Sequence, residues 1–322
     1  MNAPTLGIDM AKRTFAAALW FGPDRFLKAE FNNDRGGFRK LQTWLKAHGA
    51  GLLRVGVEAT STYADALLEC LHARGQTVYL LNPERVAHYA RARGQRNKTD
   101  PADAVTIAAF IALHEATPWQ PPPPEQKDLR SLTRARSQIV ASARALTVQL
   151  QTATGPGRVH LQAVLASTRR TLAALERDIA AHLKAHPALA ERVRRLMTLQ
   201  GVGVVTAAVA IAELPPITAQ TDPRTISAWA GVTPHRCQSG PREWTTRLSR
   251  KGNAYLRNAL YMPALVAKRH NPTLRAYAER LAASGKTTPA ILGALSHKML
   301  RILVGLLRHN TDFDPNWSFK KS

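Results

Sequence analysis

The sequence predicts a mixed α/β domain, then a long helical hairpin, then a mainly helical domain, and three observations predict it. Residues 5–31 read as three short strands with tight connections, after which helical and extended patterns alternate up to Ala116. Beyond a proline run, apolar residues fall on a three-four spacing through two stretches separated by Gly155-Pro156-Gly157. From Leu196 the pattern is helical throughout.

In order, the expected strands are 5–9, 14–21 and 25–31, with Gly22-Pro23-Asp24 as the turn signal. A helix follows over 37–47 with Phe38, Leu41 and Leu45 at helical spacing, then a strand at 53–58, a helix at 63–73, a strand at 77–81 and further helices to Ala116. Three antiparallel strands followed by alternating helix and strand is the order of a ribonuclease-H-like domain, assigned to residues 1–117. The segment Pro118-Trp119-Gln120-Pro121-Pro122-Pro123-Pro124 cannot continue a helix and reads as a stiff linker. Leu129, Leu132, Ile139, Ala143, Leu146 and Leu150 then keep a heptad register interrupted only by Arg136. The second register runs through Leu161, Leu165, Thr168, Leu172, Leu175, Ile179 and Leu183. Linker and coiled coil occupy 118–187, either as a dimerisation element or as a bundle buried within one subunit. The third domain, 188–322, contains Leu199-Gln200-Gly201-Val202-Gly203-Val204, similar to a helix-hairpin-helix turn whose glycines let backbone amides approach a phosphate.

Forty-five Lys and Arg against 22 Asp and Glu give a net charge of +23 and call for a polyanionic partner, nucleic acid first. The excess is +4 over 1–117, +6 over 118–187 and +13 over 188–322, so the last segment is the expected main platform. No apolar run reaches the roughly 18 residues that a spanning helix needs, 202–214 being too short, so no membrane partner is expected. Asp9, Lys12 and Arg13 stand where a signal peptide needs an apolar core, which predicts a cytoplasmic protein, nucleoid-associated if its partner is DNA. Cys70 and Cys237 are too few for a disulfide framework and lack metal-ligand spacing, which argues against structural zinc.

Against this basic background, four carboxylates stand out: Asp9 and Glu58 at strand ends, and Asp100 and Asp103 in Lys98-Thr99-Asp100-Pro101-Ala102-Asp103. Each has an ordinary reading. Asp9 can begin a turn and Glu58 can pair with an arginine. Asp100 can cap a helix that has Pro101 at its first position and Asp103 in its first turn. In combination, the i, i+3 pair shares one helix face, and the strand-end acids complete a hard-oxygen site suited to Mg2+ or Mn2+. Two such ions about 4 Å apart can stabilise the attacking and leaving oxygens of a phosphodiester.

A second cluster spans Thr233-Pro234-His235-Arg236-Cys237-Gln238-Ser239-Gly240-Pro241-Arg242 and Arg247-Leu248-Ser249-Arg250-Lys251-Gly252-Asn253-Ala254-Tyr255-Leu256-Arg257. Guanidinium forks here can hold a tetrahedral phosphate, and Arg236, Arg242, Arg247, Arg250, Lys251 and Arg257 are the candidate nucleic-acid contacts. On chemistry alone Ser239 is a turn serine, because a hydroxyl is a poor nucleophile until it is polarised.

Together, Gly7-Ile8-Asp9, Val57-Glu58-Ala59-Thr60, Asn97-Lys98-Thr99-Asp100-Pro101-Ala102-Asp103-Ala104, Gly201-Val202-Gly203, Gly231-Val232-Thr233-Pro234, Gln238-Ser239-Gly240 and Lys251-Gly252-Asn253-Ala254-Tyr255-Leu256-Arg257 resemble the DEDD insertion-sequence transposases, described as bridge-RNA-guided recombinases. The resemblance covers nearly the whole chain in order. It implies a bacterial protein with a RuvC-like N-terminal domain, a coiled-coil middle and a C-terminal transposase domain. The family's acidic tetrad falls on Asp9, Glu58, Asp100 and Asp103, and its nucleophilic serine on Ser239. It further implies a bridge RNA pairing with donor and target double-stranded DNA, a dimer assembling to a tetramer, and composite sites shared between subunits. Pro241 departs from the family pattern, where a residue with a backbone amide is usual. A seryl phosphodiester retains the energy of the broken linkage, so rejoining needs no ATP, in keeping with the lack of a Gly-Lys-Ser/Thr phosphate loop. The alternative is a RuvC-like metal-dependent junction nuclease in which water attacks; a third class is a nucleic-acid-binding scaffold whose acids are caps.

Overall fold

The computed structural model describes residues 4–23, 25–58, 61–92, 100–235, 238–239, 242–243, 247–249 and 252–314. The chain forms two compact units, Met1–Pro121 and Pro122–Ser322.

The first unit contains β1 (Thr5–Met10), β2 (Thr14–Gly22), β3 (Arg25–Asn32), α1 (Arg35–Ala47), β4 (Arg54–Glu58), a 3-10 turn (Ser61–Ala64), α2 (Asp65–His72), β5 (Thr77–Leu81), α3 (Pro83–Ala92) and α4 (Asp100–Leu113). The sheet order is β3-β2-β1-β4-β5. β1, β2 and β3 are antiparallel, whereas β4 and β5 run parallel to β1. This mixed sheet is consistent with the ribonuclease-H-like order that the sequence predicts.

Side-chain alternation gives the sheet two different faces. Leu6, Ile8, Met10, Phe15, Leu19, Val55 and Val57 form a bulky face against Phe38, Leu41 and Leu45 of α1 and Leu67, Leu68 and Leu71 of α2. The opposite face carries Gly7, Ala16, Ala18 and Gly56, and α4 lies directly on it. A Cβ on Gly7 would stand 2.0 Å from the Ala104 carbonyl oxygen and 2.4 Å from the Ala108 nitrogen, so only glycine permits this approach. Thr5 Oγ1 donates to the Ala108 carbonyl at 2.8 Å and fixes the helix along the strand.

The proline run does not behave as a free spacer. Trp119 donates its backbone N–H to Val78 at 2.7 Å and stacks edge-on against His72, so the start of the run is part of the first unit. Its other end, Pro124, opens the next helix.

The second unit holds α5 (Pro124–Gln149), α6 (Gly155–Ala185), α7 (Pro187–Met197), α8 (Val204–Glu213), α9 (Pro223–Trp229), the short strands β6 (Pro234–His235), β7 (Gln238–Ser239), β8 (Arg242–Glu243) and β9 (Arg247–Leu248), then α10 (Ala254–Ala259), α11 (Tyr261–His270), α12 (Pro272–Ala283) and α13 (Thr288–His309). α5 and α6 form the expected hairpin. Along it Leu132, Ile139, Ala143, Leu146, Leu161, Thr168, Leu172 and Leu175 are half-buried, while Leu129, Leu165, Ile179 and Leu183 are buried. Arg136, the one interruption of the register, pairs with Glu176 across the seam at 2.6 Å. The base of the hairpin enters the core of the second unit through Leu129, Ile179 and Leu183.

Two expectations need correction here. The region after Leu196 is not wholly helical, since β6 pairs with β9 and β7 with β8 in two antiparallel ladders. Apolar length is also greater than the sequence reading allowed, because α13 spans 22 residues and is long and apolar enough to cross a membrane. His297, Lys298 and Arg301 interrupt its apolar run, which is why no continuous stretch stands out in the sequence. It is a core helix here, with Ile291, Leu295, Met299, Leu300, Leu303 and Val304 buried; each such side chain contributes roughly 1.5–3 kcal/mol relative to exposure. Of the two hairpin glycines, Gly201 (φ +100°) is turned inward, its added Cβ falling 2.9 Å from the Pro263 carbonyl of α11. Gly203, at the start of α8, has open space around it.

Candidate active site

The acids of the first unit are positioned by strand register. β1 and β4 pair from Thr5↔Arg54 to Ile8↔Val57, so Asp9 and Glu58 are the next residues on two adjacent parallel strands. Alternation puts Asp9 on the face of Gly7 and Glu58 on the face of Gly56, the side covered by α4. α4 packs with Ala108 by Thr5 and Ala104 by Gly7 and Ala16, and Ala16 is the register partner of Asp9. Its first turn, from Asp100 to Asp103, therefore lies toward the Asp9 end of the strand. The helix begins at Asp100, so Pro101 occupies its second position rather than its first.

Asp9, Glu58 and Asp103 are half-buried, and each already has an interaction partner. Among the described residues, no group of three or more His, Cys, Asp or Glu side chains is close enough to hold a metal ion. Asp100 is described by its backbone alone. The donor chemistry nevertheless fits Mg2+, which takes hard oxygens and is commonly held by one or two carboxylates, with waters and substrate phosphates completing the shell.

Ser239 lies in the second unit, at the end of a segment stitched closed at its base. Gly252 (φ +131°) passes so close to Trp229 that a Cβ would fall 2.0 Å from its carbonyl oxygen, and the Asn253 N–H donates to that same oxygen at 3.3 Å. One step further out, the Ser249 N–H donates to the Thr233 carbonyl at 2.9 Å. Next come the β6–β9 pairs, Pro234↔Leu248 and His235↔Arg247, and finally the β7–β8 pairs, Gln238↔Glu243 and Ser239↔Arg242. Ser239 and Arg242 are thus directly opposed register partners in this ladder, both described by their backbone alone.

Of the six proposed nucleic-acid contacts, Arg236, Arg250 and Lys251 lie outside the described residues, as does the unusual Pro241. Arg242 and Arg247 are described by backbone, in β8 and β9. Arg257 donates to the Ala230 carbonyl at 3.3 Å and so braces the base of the serine segment.

Sequence reasoning missed the residue that holds this base in place. Glu213, the last residue of α8, is 3% exposed. Its carboxylate accepts two hydrogen bonds from Arg134, at 2.6 and 2.8 Å, and a third from Asn253 Nδ2 at 2.6 Å. Asn253 also caps α10 by accepting from the Leu256 N–H, and Arg134 stacks over the Tyr255 ring at 4.8 Å. Gln126 and Arg130 sit two turns and one turn before Arg134, on the same face of α5. They donate to the Ile211, Leu214 and Ala212 carbonyls at 2.8 to 3.1 Å, satisfying the carbonyls that a helix end leaves unpaired. The spacing of Gln126, Arg130 and Arg134 at i, i+4, i+8 was the available signal; their partners lie more than 75 residues away.

An α/β sheet with acids at its strand ends, joined to a basic, mainly helical unit, fits an enzyme that works on the phosphodiesters of nucleic acid. Comparison with known proteins agrees. A DEDD transposase model of the IS110 type matches residues 6–154, and a model described as transposase IS116/IS110/IS902 family matches residues 193–279. The chain belongs to the IS110 family of transposases. It is 27% identical to the pilin gene-inverting protein of Moraxella bovis and 26% identical to that of Moraxella lacunata, over 98% of each chain. It is also 27% identical to the transposase for insertion sequence element IS1111A of Coxiella burnetii, over 82% of this chain and 78% of that one. The chain is therefore an enzyme of the DNA-cleaving and rejoining kind.

Proposed function

We propose that this transposase is an RNA-guided DNA recombinase that exchanges strands through a covalent seryl-DNA intermediate. The observation that supports the metal-dependent part of this reading is the strand register that brings Asp9 and Glu58 to neighbouring carboxyl ends, on the face where α4 begins with Asp100 and Asp103. In this reading the first unit is RuvC-like, and Asp9, Glu58, Asp100 and Asp103 would hold Mg2+ or Mn2+. Bound there, the ion would polarise a phosphodiester and offset the charge that develops on its oxygens.

The chain's own residues do the rest. Ser239 Oγ attacks phosphorus and loses its proton, while the displaced deoxyribose oxygen gains one. One phosphodiester replaces another, so reversal onto a second strand needs no external energy. Arg242, paired with Ser239 across the ladder, supplies a fork suited to a phosphate oxygen. A hydrolytic nuclease would share the acids but have no use for the serine hairpin.

Guide RNA, donor and target DNA as partners, and a dimer assembling to a tetramer with sites composed across subunits, follow from the family resemblance and complete the proposal. With DNA as its substrate, the enzyme acts at the bacterial nucleoid in the cytoplasm. The guidance step is tested by sequencing RNA that co-purifies with the protein and supplying altered versions. The integration site should follow the altered guide; a site that stays fixed contradicts guidance.

A further inference from the structure

β3 is the last strand of the first unit's sheet, eight residues long, with β2 on one side of it and no strand of the described residues on the other. Proteins usually blunt such an edge by shortness, proline, a bulge or a lone charge, because its unpaired backbone invites another chain. β3 contains no proline, the one irregularity in its pairing lies at the Trp20/Gly22 end, and Phe26 and Leu27 are 39% and 36% exposed. The ladder fixes which backbone groups point outward. The Asn33 N–H donates to the Arg13 carbonyl at 2.8 Å, one step beyond the Thr14↔Asn32 pair. Hydrogen-bonded and non-hydrogen-bonded pairs alternate along an antiparallel ladder, so Leu27, Ala29 and Phe31 direct their N–H and C=O groups to β2, whereas Phe26, Lys28, Glu30 and Asn32 direct theirs away from the sheet. The side chains of the latter four share the face on which Ala16, Ala18 and Trp20 meet α4. Lys28 Nζ lies over the Phe26 ring at 5.1 Å, and among the described residues neither Lys28 nor Glu30 has an ion pair.

We propose that β3 pairs antiparallel with β3 of a second copy of this chain, about a two-fold axis at Ala29. In this register Lys28 of each copy stands opposite Glu30 of the other, Phe26 opposite Asn32, and Leu27 opposite Phe31. Outward-pointing residues then meet one another, so backbone bonds form on both sides of the axis, and each lysine faces a carboxylate. Moving the axis to residue 28 sets Lys28 against Lys28, and moving it to residue 30 sets Glu30 against Glu30; like charges directly opposite repel. Half-step registers oppose outward groups to inward ones and leave them unbonded. A lone lysine guards an edge against pairing; with Glu30 two residues away, the same charge admits one register and rejects its neighbours. Leu27 and Phe31 of the added strand lie on the side of α1, where Phe31 already meets Trp44 edge-on and Arg39, Lys40, Thr43 and Trp44 line an open groove. The five strands of each copy join into one sheet, with both α4 helices on one face and the two Asp9 ends pointing in opposite directions. The interface rests on the dimer of the proposed function and names its surface, independently of guide RNA and of Ser239.

The test uses the full-length protein with Cys70→Ser and Cys237→Ser, to which Ala29→Cys is added. Ala29 faces its own copy in a non-hydrogen-bonded pair, where Cα atoms stand about 4.5 Å apart, within the span of a disulfide. Mild oxidation should give a dimer on a non-reducing denaturing gel that a reductant dissolves, whereas Lys28→Cys or Glu30→Cys in place of Ala29→Cys should crosslink far less. In the Ala29→Cys protein Lys28→Glu should weaken the crosslink roughly tenfold, and Lys28→Glu with Glu30→Lys should restore it, since the swap keeps opposite charges opposed. The restored variant also excludes misfolding as the cause of the loss. No crosslink at residue 29, equal crosslinking from residue 28, or a crosslink indifferent to Lys28→Glu overturns the interface. Sedimentation of the same proteins separates the two readings: a dimer that does not crosslink at residue 29 overturns this surface alone, and a monomer overturns the proposed dimer with it.

Discussion

Replacing Arg134 by methionine strips the buried Glu213 carboxylate of its charged partner while keeping most of the side-chain volume. The carboxylate side chain is 1% exposed, and it accepts two hydrogen bonds from Arg134 and one from Asn253. Breaking a buried pair from one side costs about 3–5 kcal/mol, because the remaining charge is left without compensation. For a unit of this size each kcal/mol moves the melting midpoint by about 2–4 °C, so the expected fall is roughly 6–20 °C. Far-UV circular dichroism of the full chain reads it, since the second unit is mainly helical. Arg134→Met with Glu213→Leu should recover more than half of the loss, as replacing both partners often does. A single variant that costs less than about 1 kcal/mol, or a double variant no better than the single, would refute the claim that this pair ties α5 to the base of the serine segment.

Asp103→Asn should abolish strand cleavage while lowering stability by no more than about 2 kcal/mol, the upper value for a partly buried charge at a helix end; parallel losses of stability and activity would favour a purely capping role. Gly7→Ala should destabilise the first unit by about 3 kcal/mol, at the upper end of overpacking costs, because the new methyl meets the backbone of α4 rather than a flexible side chain; an unchanged urea midpoint would contradict the close approach. Nucleic-acid affinity should fall steeply as salt is raised, given the net +23; a flat response would remove phosphate contacts as the main source of binding.

Much of this was legible because period and burial agree. The strand alternation of β1 and β4 put Asp9 and Glu58 at strand ends, and the heptad spacing identified the half-buried seam of α5 and α6 residue by residue. Features without a period were not legible. β6 to β9 are two residues each and contain Pro234, so no alternation develops. Glu213 ends an apolar helix and reads as a boundary residue, because the arginine and asparagine that give it meaning are 79 and 40 residues away. α13 hid behind the three basic or titratable residues that break its apolar run. Ser239 carried no chemical signal of its own; its place in the β7–β8 ladder, beyond the base closed by Gly252 against Trp229, emerges only from the fold.

In the proposed reaction Ser239 becomes covalently joined to DNA. Wild-type protein, guide RNA, Mg2+ and end-labelled donor and target DNA, resolved on a denaturing protein gel, should give a labelled adduct that Ser239→Ala lacks while still binding both nucleic acids. An adduct that persists in Ser239→Ala would move the nucleophile elsewhere, and cleavage by the wild type with no adduct would contradict the account in favour of hydrolysis.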